Sequence, residues 1–185
     1  MTETRERRVA AELRAEGGRI EGYAALFGAR SHDLGGFTET IQLGAFARTL
    51  ADPALDVFAL FDHDRRAVLG RSRAGTLRLA EDRRGLRFEL DVANTSTGRD
   101  VLESVGRGDV TGASFGFRAR KDEWSKTADG RPLRTLIDVD LFDVTVTPTP
   151  AYPDASVARR SLDARQGADD ARRRRLLIAR RRIVA

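Results

Sequence analysis

Seven or so short stretches of this chain are apolar at every second residue or apolar throughout, and loops containing glycine, aspartate and proline cut them apart. A strand needs only a period of two and a length of four to eight residues, so a chain written this way is expected to be mainly β. The expected strands are residues 19–27, 57–61, 76–79, 86–92, 114–120, 133–137 and 139–146, with a short extended piece at 39–41. The segments 76–79 and 86–92 flank Glu81-Asp82-Arg83-Arg84-Gly85 and read as a hairpin. Helical patterning is sparse. Gly44 to Leu50 suits a short helix closed by Asp52-Pro53, and Ser96 or Thr97 caps a second whose apolar face is Val101, Leu102 and Val105, stopped by Gly106 and Gly108. The expected architecture is a β-barrel or sandwich with helical decoration.

At 185 residues the chain has length enough for one well-buried domain with tails. Residues 1–17 read as a charged leader, 18–158 as the folded domain, and 159–185 as a basic tail that is helical or disordered. The net charge of +5 belongs to that tail: it holds ten arginines against Asp163, Asp169 and Asp170, a balance of +7, which leaves −2 for the rest. The body therefore lacks the cationic excess that holds a phosphate backbone, and a nucleic-acid role would rest on the tail alone. The absence of cysteine removes disulfides, thiolate metal sites and cysteine nucleophiles. No run of about 18 apolar residues and no apolar leader are present, so neither membrane insertion nor export is expected.

What chemistry the chain performs must then come from oxygen and imidazole. Gly112-Ala113-Ser114-Phe115-Gly116 fits G-x-S-x-G, but the elbow of an α/β-hydrolase is excluded by context: the residues after Ser114 alternate as a strand, and the only histidines, His32 and His63, precede it. A serine hydroxyl is a weak nucleophile until a base takes its proton, and imidazole has the affinity for that task near neutrality. Of the two histidines, His32 sits in a polar loop, whereas His63 closes an apolar strand between Asp62 and Asp64 and so has an anchored backbone. Asp143 lies opposite Phe142, Val144 and Val146 in the strand alternation, where a carboxylate needs water or a partner; orienting a histidine would supply one. Asp62, Asp64 and Asp140 are substitutes for that third position. The backbone N–H groups of Gly112 and Ala113, and the guanidinium of Arg118 or Arg71, are candidates for stabilising an oxyanion. No set of histidine and carboxylate residues has metal-ligand spacing, and no cofactor is expected.

Taken in order, several blocks resemble the prohead protease family of HK97-like tailed phages, prophages and gene transfer agents. They are Glu21-Gly22-Tyr23-Ala24 with Phe27; Glu39-Thr40-Ile41 leading to Gly44-Ala45-Phe46; Asp62-His63-Asp64 with Leu69-Gly70-Arg71; and Gly98-Arg99-Asp100. Gly108 to Phe117 follows, then Leu141-Phe142-Asp143-Val144-Thr145 with Pro150-Ala151-Tyr152-Pro153. The resemblance runs from about Ile20 to Arg160. It implies a fold similar to the herpesvirus assemblin proteases, a β-barrel surrounded by helices, and a catalytic pair of His63 and Ser114, with Asp143 as third member. It further implies a serine endopeptidase that cuts the scaffolding segment of the major capsid protein, and its own termini, inside an immature capsid in the cytoplasm of a bacterial host. Self-association of the chain is compatible with it. Two departures stand out: members commonly carry asparagine at the position of Asp62 and glutamate at that of Asp143, so this chain has an extra charge beside the base and a shorter acidic arm. The competing readings are a capsid assembly or scaffold protein that kept the fold without activity, and a nucleic-acid-binding module that uses the tail.

Overall fold

The computed structural model describes residues 6–11, 13–148 and 175. Ten strands run in chain order: β1 Glu6–Ala11, β2 Leu13–Glu16, β3 Arg19–Leu26, β4 Thr38–Ile41, β5 Phe58–Phe61, β6 Asp64–Arg71, β7 Leu77–Glu81, β8 Gly85–Asp91, β9 Gly112–Lys126 and β10 Pro132–Thr147. Two helices, α1 Ala47–Leu50 and α2 Ser96–Arg107, and a 3₁₀ turn at Ser72–Ala74 complete the described elements. One sheet has the order β1-β9-β10-β5-β6, with β4 added to the far half of β10; the other has the order β2-β3-β8-β7.

The alternation seen in the sequence becomes the main core between the sheets, beside a small second cluster of Leu34 and Phe37 against Trp124. In β8, Leu86, Phe88 and Leu90 are buried while Arg87 is exposed between them, as one covered face requires. Phe115 and Phe117 of β9 point the same way, their rings 5.0 Å apart, and Phe46 meets Phe115 edge-on at 5.3 Å. All three phenyl rings are fully buried, at about 2–3 kcal/mol of transfer free energy apiece. The residues that alternate with Phe115 and Phe117, Ser114 and Gly116, are thereby turned to the opposite face of the sheet. Helix α2 is capped not by Ser96 or Thr97 but by Thr95, whose hydroxyl accepts from the Gly98 N–H at 3.1 Å; Gly108, at a φ of 80°, ends it.

Three expectations change. The mainly β character with few helices holds, but the sheets do not close into a barrel: β1 and β6 lie at opposite edges of the larger sheet, three strands apart, and the two sheets pack as layers. Nor do helices surround them, only α1 and α2 among the described residues. The segment set aside as a leader carries β1 and β2, the first paired with β9 and the second with β3, so the chain's start joins both sheets. Its charge concealed this, because Glu6 is buried against Arg134 (2.6 Å), a guanidinium that also reaches Glu39 (3.2 Å) and Asp122 (2.5 Å). Buried charges persist only in such company. Finally, the two segments expected at 133–137 and 139–146 form one strand, β10, whose register against β9 slips near Asp138 and between Leu141 and Asp143. The tail at 159–185 lies outside the described residues, apart from Arg175.

Candidate active site

The β5–β6 hairpin turns through two residues, Asp62 and His63, with Phe61 paired to Asp64. Both have positive φ, 47° and 56°, the geometry of a type I′ turn. Glycine or asparagine is usual there; a residue with a longer side chain costs about 1–2 kcal/mol. Three hydrogen bonds from β10 hold the turn in place. The Asp62 N–H donates to the Val146 carbonyl (2.9 Å), the His63 N–H to Thr145 Oγ1 (3.2 Å), and the Thr147 hydroxyl to Asp62 Oδ1 (2.9 Å). At about 1 kcal/mol net each, they offset the strain. The left-handed residue at this site is thus the histidine, not the serine as in a nucleophile elbow.

From that mount the imidazole bridges two strands. Nδ1 lies 2.9 Å from Asp143 Oδ1, and Nε2 lies 3.0 Å from Ser114 Oγ. Register explains the meeting. Ser114 of β9 stands directly opposite Thr145 of β10, and Gly116 stands opposite Asp143, just past the bulge at Phe142. Asp143, Thr145 and Thr147 share one face of β10, so one strand aligns the imidazole with its first residue and grips the turn with the other two. Ser114 is fully buried, and the His63 and Asp143 side chains are 5% and 12% exposed. Bulk water therefore competes little with these bonds.

Gly116 has a purpose that the motif alone did not reveal. A Cβ there would fall 2.3 Å from Asp143 Oδ2 and 2.8 Å from its Cγ, so only glycine leaves room for the carboxylate. The pattern G-x-S-x-G here records an aspartate packed across the ladder. The threonines at 145 and 147 were also missed by sequence reasoning; the recoverable signal was their alternation with Asp143 on one strand face.

The other candidates are placed elsewhere. His32 is exposed in its loop. Asp64 accepts the Arg66 N–H at 2.8 Å, a local turn contact. Asp62 is engaged by Thr147, and Asp140 is bonded to Arg48, Arg118 and Arg120. Burial would raise the Asp140 carboxyl, but those three guanidiniums outweigh it and hold its pKa at about 2. Of the four aspartates considered, Asp143 is the one on the imidazole. Of the oxyanion candidates, Gly112 and Ala113 adjoin Ser114 in β9, whereas the two guanidiniums are engaged by other carboxylates. Gly112 and Ala113 are paired on both edges, to β1 and β10, so their N–H groups serve ladders. Arg118 is four residues along β9, about 13 Å away at strand rise, and its guanidinium donates twice to one oxygen, Asp140 Oδ2. Arg71 is bidentate on Asp56.

An imidazole hydrogen-bonded by one nitrogen to a hydroxyl and by the other to a carboxylate can relay a proton from that hydroxyl during nucleophilic attack. Two known proteins resemble the chain. The prohead protease of Enterobacteria phage HK97 is 29% identical over 143 residues, 76% of this chain and 59% of that protein, so the chain spans under two thirds of its relative's length. Among solved structures, the bacteriophage T4 capsid assembly protease, gp21, aligns over 77% of this chain and 98% of its own at 8% identity, with a TM-score of 0.43. Residues 4–168 match the caudovirus prohead serine protease family, and the chain belongs to that family.

Proposed function

We propose that the protein is a serine endopeptidase of capsid maturation, with Ser114 as nucleophile, His63 as general base and Asp143 as the residue that orients and charge-stabilises the imidazole. The observation that carries this reading is the unbroken chain from Asp143 Oδ1 through both ring nitrogens to Ser114 Oγ, at 2.9 and 3.0 Å. In the first step Ser114 Oγ attacks a substrate carbonyl carbon while its proton passes to His63 Nε2. The tetrahedral adduct collapses, the imidazolium donates that proton to the leaving amine, and an ester to Ser114 remains. Water, deprotonated by the same nitrogen, then attacks the ester and restores the serine. The Asp143 carboxylate balances the transient imidazolium. We assign no oxyanion role to Gly112, Ala113 or Arg118, whose donors are committed to the sheet or to Asp140.

The substrate in this reading is the scaffolding segment of the major capsid protein, together with the protease's own termini. The setting is the interior of an immature capsid in a bacterial host. Confinement there brings enzyme and substrate to high effective concentration, so modest intrinsic activity suffices. The test is co-expression with the major capsid protein from the same source, comparing wild type with Ser114→Ala by intact mass. Loss of a defined amino-terminal capsid segment with wild type alone is expected, with activity in the variant down by about 10⁴-fold or more. Equal processing by both proteins refutes the assignment.

A further inference from the structure

Beyond Asp143, on the side away from Ser114, the sheet opens into a pocket of about 210 Å³ lined by Phe58, Leu60, Arg65, Val68, Phe142 and Asp143. Four of the six are apolar, and Val68 is 40% exposed at its wall, unusual for a valine in a strand of this protein. The two phenyl walls are braced. The Arg71 guanidinium lies 4.6 Å from the Phe58 ring centroid and is tied to Asp56; the Arg118 guanidinium lies 5.9 Å from that of Phe142 and is tied to Asp140. The fourth apolar wall, Leu60, is buried in β5. A cavity with these walls is preformed, and a space of about 150 Å³ already accommodates a benzene ring.

Resting on the triad reading above, we propose that this pocket is the substrate subsite that selects one large apolar side chain, leucine, methionine or phenylalanine, from the peptide being cut. Its continuity with the triad identifies the occupant, since Asp143 forms both the inner wall of the pocket and the far end of the hydrogen-bonded chain. The pocket centres on β5, two strand spacings from β9, about 10 Å from Ser114. An extended peptide advances about 3.3 Å per residue, so the selected side chain lies about three residues from the scissile bond. Arg65, exposed on the lining, and Asp143 give it one charge of each sign, so selection rests on the four apolar walls. Arg71 and Arg118, considered for the oxyanion from sequence, act here as positioning residues for the two rings.

The test is cleavage of a peptide library by the full chain, read by mass spectrometry, for wild type, Ser114→Ala, Val68→Trp and Val68→Ala. Ser114-dependent cleavage with one position confined to leucine, methionine or phenylalanine is expected. In Val68→Trp, whose indole fills the cavity, the ratio of kcat/KM for leucine over glycine at that position should fall at least tenfold. In Val68→Ala, which enlarges it, the preference should move toward tryptophan, and this second variant decides the matter if the first does not fold. Ser114-dependent cleavage whose preferences are the same in wild type and both Val68 variants overturns the subsite alone. No Ser114-dependent cleavage by wild type overturns the triad reading and the subsite with it.

Discussion

Replacing Gly116 with alanine is the sharpest probe of this site, because it adds one methyl group and leaves the identity of all three reacting side chains unchanged. The new Cβ would stand 2.3 Å from Asp143 Oδ2 and 3.0 Å from Oδ1, against an ordinary contact of about 3.4 Å or more. The carboxylate must therefore retreat by about 1 Å, which is enough to break the 2.9 Å bond to His63 Nδ1. Misplacement on that scale costs about 10²-fold in rate, and complete loss of the acidic partner about 10⁴-fold, so kcat in Gly116→Ala should fall between those limits. Alanine fits the β9 backbone, so the stability penalty is that of local overpacking, about 1–3 kcal/mol. The assay pairs steady-state cleavage of a defined peptide with urea unfolding, in a cycle with Asp143→Ala. Once the carboxylate is gone, adding the methyl group should change kcat by less than about threefold. A Gly116→Ala enzyme with wild-type kcat, or a double variant in which the two losses simply multiply, would refute the coupling.

Thr145→Val keeps the shape of the side chain but removes the acceptor for the His63 N–H, which frees the left-handed turn; a loss of about 1–3 kcal/mol by urea unfolding and at least a tenfold drop in kcat are expected. Unchanged values for both would show that the turn holds itself. Asp140, held at about 2 by Arg118, Arg48 and Arg120 against the opposing effect of burial, has a folded-state pKa below its unfolded value near 3.9. Its contribution of about 2 kcal/mol is therefore complete above about pH 4 and lost as the pH falls through about 2. Asp140→Asn should be less stable than wild type at neutral pH by about that amount, with the gap closing in acid; a gap that persists at pH 2 contradicts the ion-pair account.

Much of the local structure was legible because a period of two is written residue by residue. Strands β3, β5, β7, β8 and β9 fall where alternation or an apolar run put them, and His63, Ser114 and Asp143, named from the sequence, are the three side chains the structure joins in one hydrogen-bonded chain. What the sequence left open were relations between distant segments. Whether Asp143 or one of its rivals faces the imidazole depends on the slip of β10 at Phe142, which no local pattern announces. Glu6 reads as a solvated charge until Arg134, 128 residues further on, is found beside it. Gly116 looks like half of a common motif until the carboxylate across the ladder requires its missing side chain. The chain's own pattern determined which residues form strands and which side chains carry chemistry, because propensity and alternation act over a few neighbours. Tertiary structure alone decided register, the gripping of the turn by Thr145 and Thr147, and the layered rather than closed sheets, because pairing between strands is set by partners that lie far away in sequence.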